Sequence, residues 1–390
     1  MSNISLLLGA GFSVNKGYPT ANQLNNKITS LRGDEFTVAQ QGSVCWLKKG
    51  QVDPYIHDAS HTYKLFTLEL IAFYVANHES FNYEEFFDYY TNVNQPGQTD
   101  EAFEQLCNAF REKHNIENEN IDLIGRHNSI FNQLISGFLV DRDGTKFYEK
   151  IHHMGPYAGY NGFLGCLQKW GNENIVHINT LNHDLFLESL NHTDALHGNL
   201  SDGFQELGSP FYGGMEDGSK IRLSYFSCEY DTNFRLYKLH GSLDQYPFHL
   251  MNGGKIDSYI KIKPGIGVTD LYKEVTDEDG KLAYINDFIN YFPDFLSGTT
   301  SKILRYSDLI YYEGIFKAFE SNLQASDTLI LIGYGCGDQE INNIILENFK
   351  GRIYVVDPFP QPATFEFCEK AKAVLVQKTP EQIGLDDFKK

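Results

Sequence analysis

Basic residues are scarce in this chain. Thirty-two Lys and Arg stand against 51 Asp and Glu over 390 residues, a formal net charge of −19. Such a balance repels nucleic-acid phosphates unless a local basic patch intervenes. The longest basic cluster, Lys48-Lys49, is too small to supply one, so direct nucleic-acid binding is not expected. Cysteine is sparse too: Cys45, Cys107, Cys166, Cys228, Cys336 and Cys368 stand far apart, and no CxxC pair occurs. They read as reduced thiols of a cytoplasmic protein, and a zinc ribbon of paired CxxC motifs cannot be assembled. No apolar run approaches the ~20 residues of a membrane span, and the entry into a strand directly after Met1-Ser2-Asn3 gives the expectation that no signal peptide is present. Internal repeats and low-complexity segments are absent as well. The expectation is a cytoplasmic protein without a membrane partner.

The composition is otherwise that of a folded protein, with 42% hydrophobic and 14% aromatic residues. Residues 4–13 read "ISLLLGAGFS": a continuous apolar run, the mark of a strand buried on both faces, stops at Gly9-Ala10-Gly11 and Ser13. Two glycines at a strand end let something bulky and anionic approach the backbone, or they form a tight strand-to-helix turn with no ligand. A helix follows, with Leu24 and Ile28 on one face and Thr20 or Asn22 as its cap. From 55 to 150 the pattern is helical. "YKLFTLELIAFYVANH" spaces Leu65, Leu68, Ile71, Ala72 and Val75 by threes and fours, and "DEAFEQLCNAFREKH" and "IDLIGRHNSIFNQLISGFLVDR" behave alike. This predicts a helical insertion at 55–150 in a domain formed by 1–54 and 151–390.

Strand signals return in "NIVHINTLNHD" (174–184), "FRLYKLHGSLD" (234–244), "TLILIGYGCGD" (328–338) and "RIYVVDP" (352–358). Each run is apolar and stops at Asn, His, Gly or Asp. That is the signature of an α/β fold, a Rossmann-like parallel sheet with helices on both faces whose strands deliver polar groups at their carboxyl ends. The stretch 245–325 reads as loops and helices, including "INDFINYFPDFL" and "YYEGIFKAFESNL".

Gly9 to Ser13, Gly17-Tyr18-Pro19-Thr20, Thr180 to Asp184, His240-Gly241-Ser242, Gly333 to Asp338 and Asp357 follow in this order along nearly the whole chain. The order resembles the sirtuin-like (silent information regulator) superfamily: GAGxS, a Gly-x-Pro loop, Gln-Asn-x-Asp, His-Gly, a Gly-Thr-Ser-type loop and a final acidic or amide residue. "DGF" at 202–204 and "GDQEIN" at 337–342 narrow the likeness to the bacterial branch found in anti-phage defence systems. Two departures, the missing CxxC pairs and GYPTAN in place of Gly-Ile-Pro-Asp-Phe-Arg, count against acyl-lysine chemistry and favour NAD+ hydrolysis.

The resemblance implies an NAD+ glycohydrolase that splits NAD+ into nicotinamide and ADP-ribose, the effector of an abortive-infection system. NAD+ is then a substrate, with no metal required. Asn182 would orient the attacking water or the ribose hydroxyls, and His240, with an ordinary pKa of about 6.5, would be the general base. Asp184 would hold the nicotinamide carboxamide or cap "LFLESL"; it can do both. Gly9, Ala10, Gly11 and Ser13 would meet the diphosphate, and Pro19, Thr20, Thr180, Gly241 and Ser242 would also line the substrate. Gly333, Tyr334 and Gly335 would lie by the adenosine ribose. Asp357 would accept from ribose or adenine, or make a turn before Pro358. The likeness further implies a homo-oligomer and a co-encoded sensor such as a HerA-type ATPase. A deacylase or ADP-ribosyltransferase and a non-catalytic NAD or ADP-ribose-binding assembly module are the alternatives. His57 and His61 in "HDASH" are a possible metal pair without an evident third ligand, His152-His153 reads as a solvated loop, and "FNYEEFFDYY" as packing or an oligomer interface.

Overall fold

The computed structural model describes residues 3–92, 100–117, 119–139, 159–192, 195–215, 217–250, 255–262, 271–277, 279–285, 293 and 310–389. His152-His153 and most of "INDFINYFPDFL" lie outside them. The chain forms two compact units. The first comprises Met1–Tyr18, Phe147–Asn290 and Arg305–Lys390; the second comprises Pro19–Lys146 and Tyr291–Leu304.

The first unit is built on a parallel sheet of seven strands: β1 (Asn3–Leu8), β2 (Ile175–Thr180), β3 (Leu200–Ser201), β4 (Phe234–Lys238), β5 (Thr328–Ile332), β6 (Arg352–Val356) and β7 (Val374–Val376). Their order across the sheet is β7-β6-β5-β1-β2-β4-β3. The chain fills one side of β1, then crosses to the other with β5, which makes the β1/β5 boundary the topological switch point. Ile4, Leu6 and Leu8 face one layer, where Phe12, Phe163, Leu167 and Phe186 pack. Leu7, also fully buried, points to the opposite face, where the helix Tyr312–Ala325 contacts β1 and β4. Burial on both faces is why the runs are apolar throughout, and each fully buried Leu or Ile contributes about 2 kcal/mol.

The stretch 245–325 departs from expectation. Gln245–Leu250, Lys255–Lys261, Leu271–Thr276 and Leu282–Ile285 are strands, distributed over two four-stranded antiparallel sheets with Phe204–Gln205, Ser224–Phe226, Phe211–Gly214 and Lys220–Arg222. These strands are short, one carries Pro247, and several are half-exposed, so no buried run marks them. The helix Tyr312–Ala325 is where the sequence places it.

The second unit contains the helices Ala21–Thr29, Ala59–Asn77, Tyr83–Asn92, Glu101–His114 and Asn120–Leu139, and a hairpin of Phe36–Val38 with Val44–Trp46. The helix Ala59–Asn77 buries Phe66, Thr67, Leu70, Ile71 and Tyr74, whereas Ala72 and Val75 are exposed and Leu65 and Leu68 are half-buried. Its sequence is apolar on every side, so spacing alone selects the wrong stripe; the bulkier aromatic stripe is the one buried. Phe86 and Tyr90 of the aromatic run pack edge-on against His127. Burial pushes the His127 imidazole down to about 3. Among the described residues no helix is long and apolar enough to cross a membrane.

Candidate active site

Parallel register brings the carboxyl ends of six strands to one edge. Leu8 lies level with Thr180 and Ile332, Thr180 with Lys238, Ile332 with Val356, and Val356 with Val376. The polar residues that follow these strands therefore leave the sheet side by side, at the edge where open α/β sheets bind ligands.

The two glycine loops meet at the switch point, and their first purpose is each other. The Gly9 N–H donates to the Ile332 carbonyl (3.1 Å) and the Gly11 N–H to the Gly333 carbonyl (2.9 Å). A Cβ on Gly9 would sit 2.7 Å from the Gly333 oxygen, and one on Gly333, whose φ is +61°, would sit 2.2 Å from the Phe12 nitrogen. Backbone against backbone thus accounts for Gly9, Gly11 and Gly333. Ala10 and Gly11 remain exposed, as do Gly335 and Gly337, whose Cβ positions meet nothing within 4 Å. The expected helix after Gly9 is only the four residues Ala10–Ser13, followed by a single 3-10 turn, Val14–Lys16. It is too short to give a strong anion-attracting N-terminus.

Asn182 joins this cluster from β2. Its side-chain Nδ2 donates to the Gly9 carbonyl (2.9 Å) and to Ser13 Oγ (3.0 Å), and its own N–H donates to Thr180 Oγ1 (3.1 Å). Thr180 in turn donates to the Leu8 carbonyl. Asn182 is 8% and Ser13 2% exposed. Asp184 Oδ1 accepts from the Phe186 N–H (3.0 Å), which fixes the turn into Phe186–Ser189.

His240 leaves β4, the strand next to β2, and its ring centroid is 6.3 Å from that of His183. Its Nε2 lies 3.7 Å from Asp338 Oδ2. Gly241, at φ +83°, turns the chain, and Ser242 is fully buried behind it. Tyr334 is also buried, with its hydroxyl 3.0 Å from the Asp338 carbonyl and 2.9 Å from Asn342 Oδ1. Asp357, half-buried, accepts from the Phe359 N–H at 2.8 Å and makes a turn around Pro358. Pro19 and Thr20 belong to the second unit, where Thr20 caps the helix Ala21–Thr29 through a reciprocal pair with Gln23.

Beneath the turns lies a buried charge network the sequence reading did not single out. Lys238, 2% exposed, donates to the Asp184 carbonyl and lies 3.3 Å from Glu188 Oε1. Burial holds the Glu188 carboxyl above its ordinary range, although Lys238 and Lys261 pull the other way. Lys261 pairs with Asp202 and, at 3.3 Å, with Asp244. Tyr311 donates its hydroxyl to the Lys238 carbonyl (3.0 Å). A lysine inside the apolar run "FRLYKL" was the one sequence sign of this network.

In the second unit His61 faces Asp53 at 3.3 Å, with Lys64 Nζ on the same carboxylate at 2.6 Å. Among the described residues no cluster of three or more His, Cys, Asp or Glu is arranged to hold a metal ion.

No family model and no curated protein matches the chain. Solved structures similar to it include a mutant Sir2 homologue in complex with ADP-ribose (10% identity, TM-score 0.38, 97% of this chain and 88% of that one). Another comes from work on the mechanism and regulation of Sir2 enzymes (10% identity, TM-score 0.39, 98% and 88%). A third concerns sirtuin substrate affinity (11% identity, TM-score 0.35, 97% and 90%).

Proposed function

We propose that the first unit is an NAD+ glycohydrolase. The observation that supports this most is the emergence of Asn182 and His240 from adjacent parallel strands, with Asn182 bonded to the first glycine loop at the switch point. The six motifs quoted from the sequence supply the choice of ligand.

NAD+ hydrolysis breaks the bond between nicotinamide and ribose through an oxocarbenium-like ribosyl cation. Nicotinamide leaves as a neutral molecule, so the protein's tasks are to hold the dinucleotide, stabilise the cation and deliver water. Gly9 and Asn182's own partner Ser13 are acceptors toward Nδ2, which fixes the amide's orientation. Its Oδ1 is then the atom that accepts from a ribose hydroxyl or from the attacking water. His240 takes the proton that water loses, and the products are nicotinamide, ADP-ribose and a proton. The exposed backbone of Ala10, Gly11 and Gly335 suits the diphosphate and adenosine ribose, with Asp357 toward the ribose or adenine. Asp184 holds the turn and, through it, the nicotinamide end.

Unrestrained NAD+ loss kills the cell that makes such an enzyme. The reading therefore includes control by homo-oligomerisation or by a co-encoded sensor, a HerA-type ATPase among them, in abortive anti-phage defence. The test is NAD+ consumption followed by product chromatography, with and without the product of the neighbouring gene. Free ADP-ribose supports the proposal. Acyl-ADP-ribose formed from an acylated peptide would replace it with a deacylase, and binding without turnover would replace it with an assembly module.

A further inference from the structure

The Asp202-Gly203-Phe204 motif, quoted from the sequence for its likeness alone, closes on one lysine. Lys261 Nζ pairs with Asp202 Oδ2 and stands 5.1 Å from the centre of the Phe204 ring. Asp202 Oδ1 accepts from the Phe204 N–H (3.1 Å), so one carboxylate fixes both the turn and the cation. Gly203, at φ +79°, lies so near Tyr230 that a Cβ would sit 2.6 Å from its hydroxyl oxygen. Phe204 in turn meets Phe226 and Tyr311, at ring separations of 5.3 and 6.1 Å.

The same ammonium faces the turn that carries His240. Antiparallel pairing sets Lys261 opposite Gln245, and the Ile262 N–H donates to the Asp244 carbonyl at 2.9 Å. Lys261 Nζ lies 3.3 Å from Asp244 Oδ2, and both side chains are 12% exposed. Burial works against the lysine's charge, yet Asp202, Asp244 and Glu188 together hold its ammonium well above the ordinary lysine range. The rest of the turn is tied through backbone. The Gly241 N–H donates to the Lys238 carbonyl (3.2 Å) and the Leu243 N–H to that of His183 (3.0 Å). Asp244 is its charged anchor.

We propose that Lys261 is a positioning residue for His240, tying Asp244 at the end of its turn to the Asp202-Gly203-Phe204 motif. The effect on turnover rests on the NAD+ reading given above; the tether does not. Without the lysine, the Asp202 and Asp244 carboxylates repel each other and Asp244 is left buried and unpaired, which drives the turn away. Lys238, the network's other lysine, is turned toward Asp184 and Glu188. Asp244 follows His240 by only four residues, so its displacement carries to the imidazole. Misplacement of a catalytic group by about 1 Å costs about a hundredfold in rate.

The experiment compares Lys261→Met, Asp244→Asn and the double variant in the full chain. Asp244→Asn leaves Lys261 its Asp202 partner, so it keeps the test open where Lys261→Met does not fold. Side-chain ¹H–¹⁵N signals of His240, assigned with His240→Gln, report the position of the turn, and NAD+ kinetics report the consequence. The expected result is shifted His240 signals in each folded variant, with kcat lowered about tenfold to a hundredfold and KM within about twofold of the parent. A general loosening of the fold would raise KM as well. Both changes break one pair, so the double variant falls no further than the more impaired single variant. His240 signals that match the parent in the folded variants overturn the tether, as do losses that multiply in the double variant. Shifted signals in variants of a protein that leaves NAD+ intact sustain the tether and remove the glycohydrolase reading.

Discussion

The side-chain amide of Asn182 lies 2.9 Å from the carbonyl oxygen of Gly9, so the turn after β2 holds the turn after β1. Position and chemistry are coupled through that bond. Asn182→Ala removes a donor from Gly9 and from Ser13 and is expected to cost about 1–3 kcal/mol while abolishing NAD+ turnover. Asn182→Asp turns the donor into a second acceptor against the Gly9 carbonyl and is expected to be the less stable of the two. Denaturant unfolding beside an NAD+ assay checks both; an Asn182→Ala protein of parental turnover would remove the residue from the mechanism.

The glycine loops allow packing and ligand contact to be separated. Gly333→Ala places a Cβ 2.2 Å from the Phe12 nitrogen at a φ of +61° and is expected to cost more than about 3 kcal/mol or to prevent folding. Gly9→Ala, 2.7 Å from the Gly333 oxygen, behaves similarly. Gly335 has open space where its Cβ would be, so Gly335→Ala leaves stability within about 0.5 kcal/mol. A raised KM for NAD+ in that variant marks the loop as a substrate contact. An unchanged KM would confine the glycines to packing.

How much of this was legible in the sequence depends on how local the cause is. Five of the seven strands were readable because runs such as "ISLLL", "TLILI" and "RIYVV" are buried on both faces and stop at glycine or polar residues, whereas the short edge strands Leu200–Ser201 and Val374–Val376 carry no such run. Gly9 was legible as a close approach but not as to what approaches: the partner is Gly333, more than three hundred residues away, and no local signal carries that. Asp338 was visible only as part of a loop, because its nearness to His240, which follows another strand, has no local sign. The antiparallel strands after Gln245 gave no buried run, and the helix Ala59–Asn77 was apolar all round, so neither register nor buried face could be read from periodicity.

Acid should loosen the second unit through Asp53. Burial alone would raise this carboxyl, but Lys64, the Thr37 hydroxyl and the Tyr55 N–H outweigh it and bring it down to about 2 from 3.8. A folded-state pKa below the unfolded one gives stability that is present above about pH 4 and lost as pH falls toward 2. The contribution is about 2 kcal/mol. Asp53→Asn should be less stable than the parent at neutral pH, and the gap should close between pH 4 and 2 in unfolding curves recorded across that range. A gap that stays constant would place the stabilisation elsewhere.

Lys238 ties the turn after β2 to the strand that carries His240, and it does so as a buried cation. Lys238→Met leaves the Glu188 carboxylate without its nearest partner and is expected to destabilise by about 3–5 kcal/mol. Adding Glu188→Leu removes the stranded charge, so the double variant should recover most of that loss, as apolar replacements of buried pairs do. The tether from Lys238 to the Asp184 carbonyl is not restored by the second change. Turnover should therefore stay depressed in the double variant although its unfolding midpoint returns toward that of the parent. Denaturant midpoints and NAD+ consumption on the parent, both single variants and the double variant separate the two contributions. Full activity in the stable double variant would mean that the Asp184 turn holds its position without the lysine.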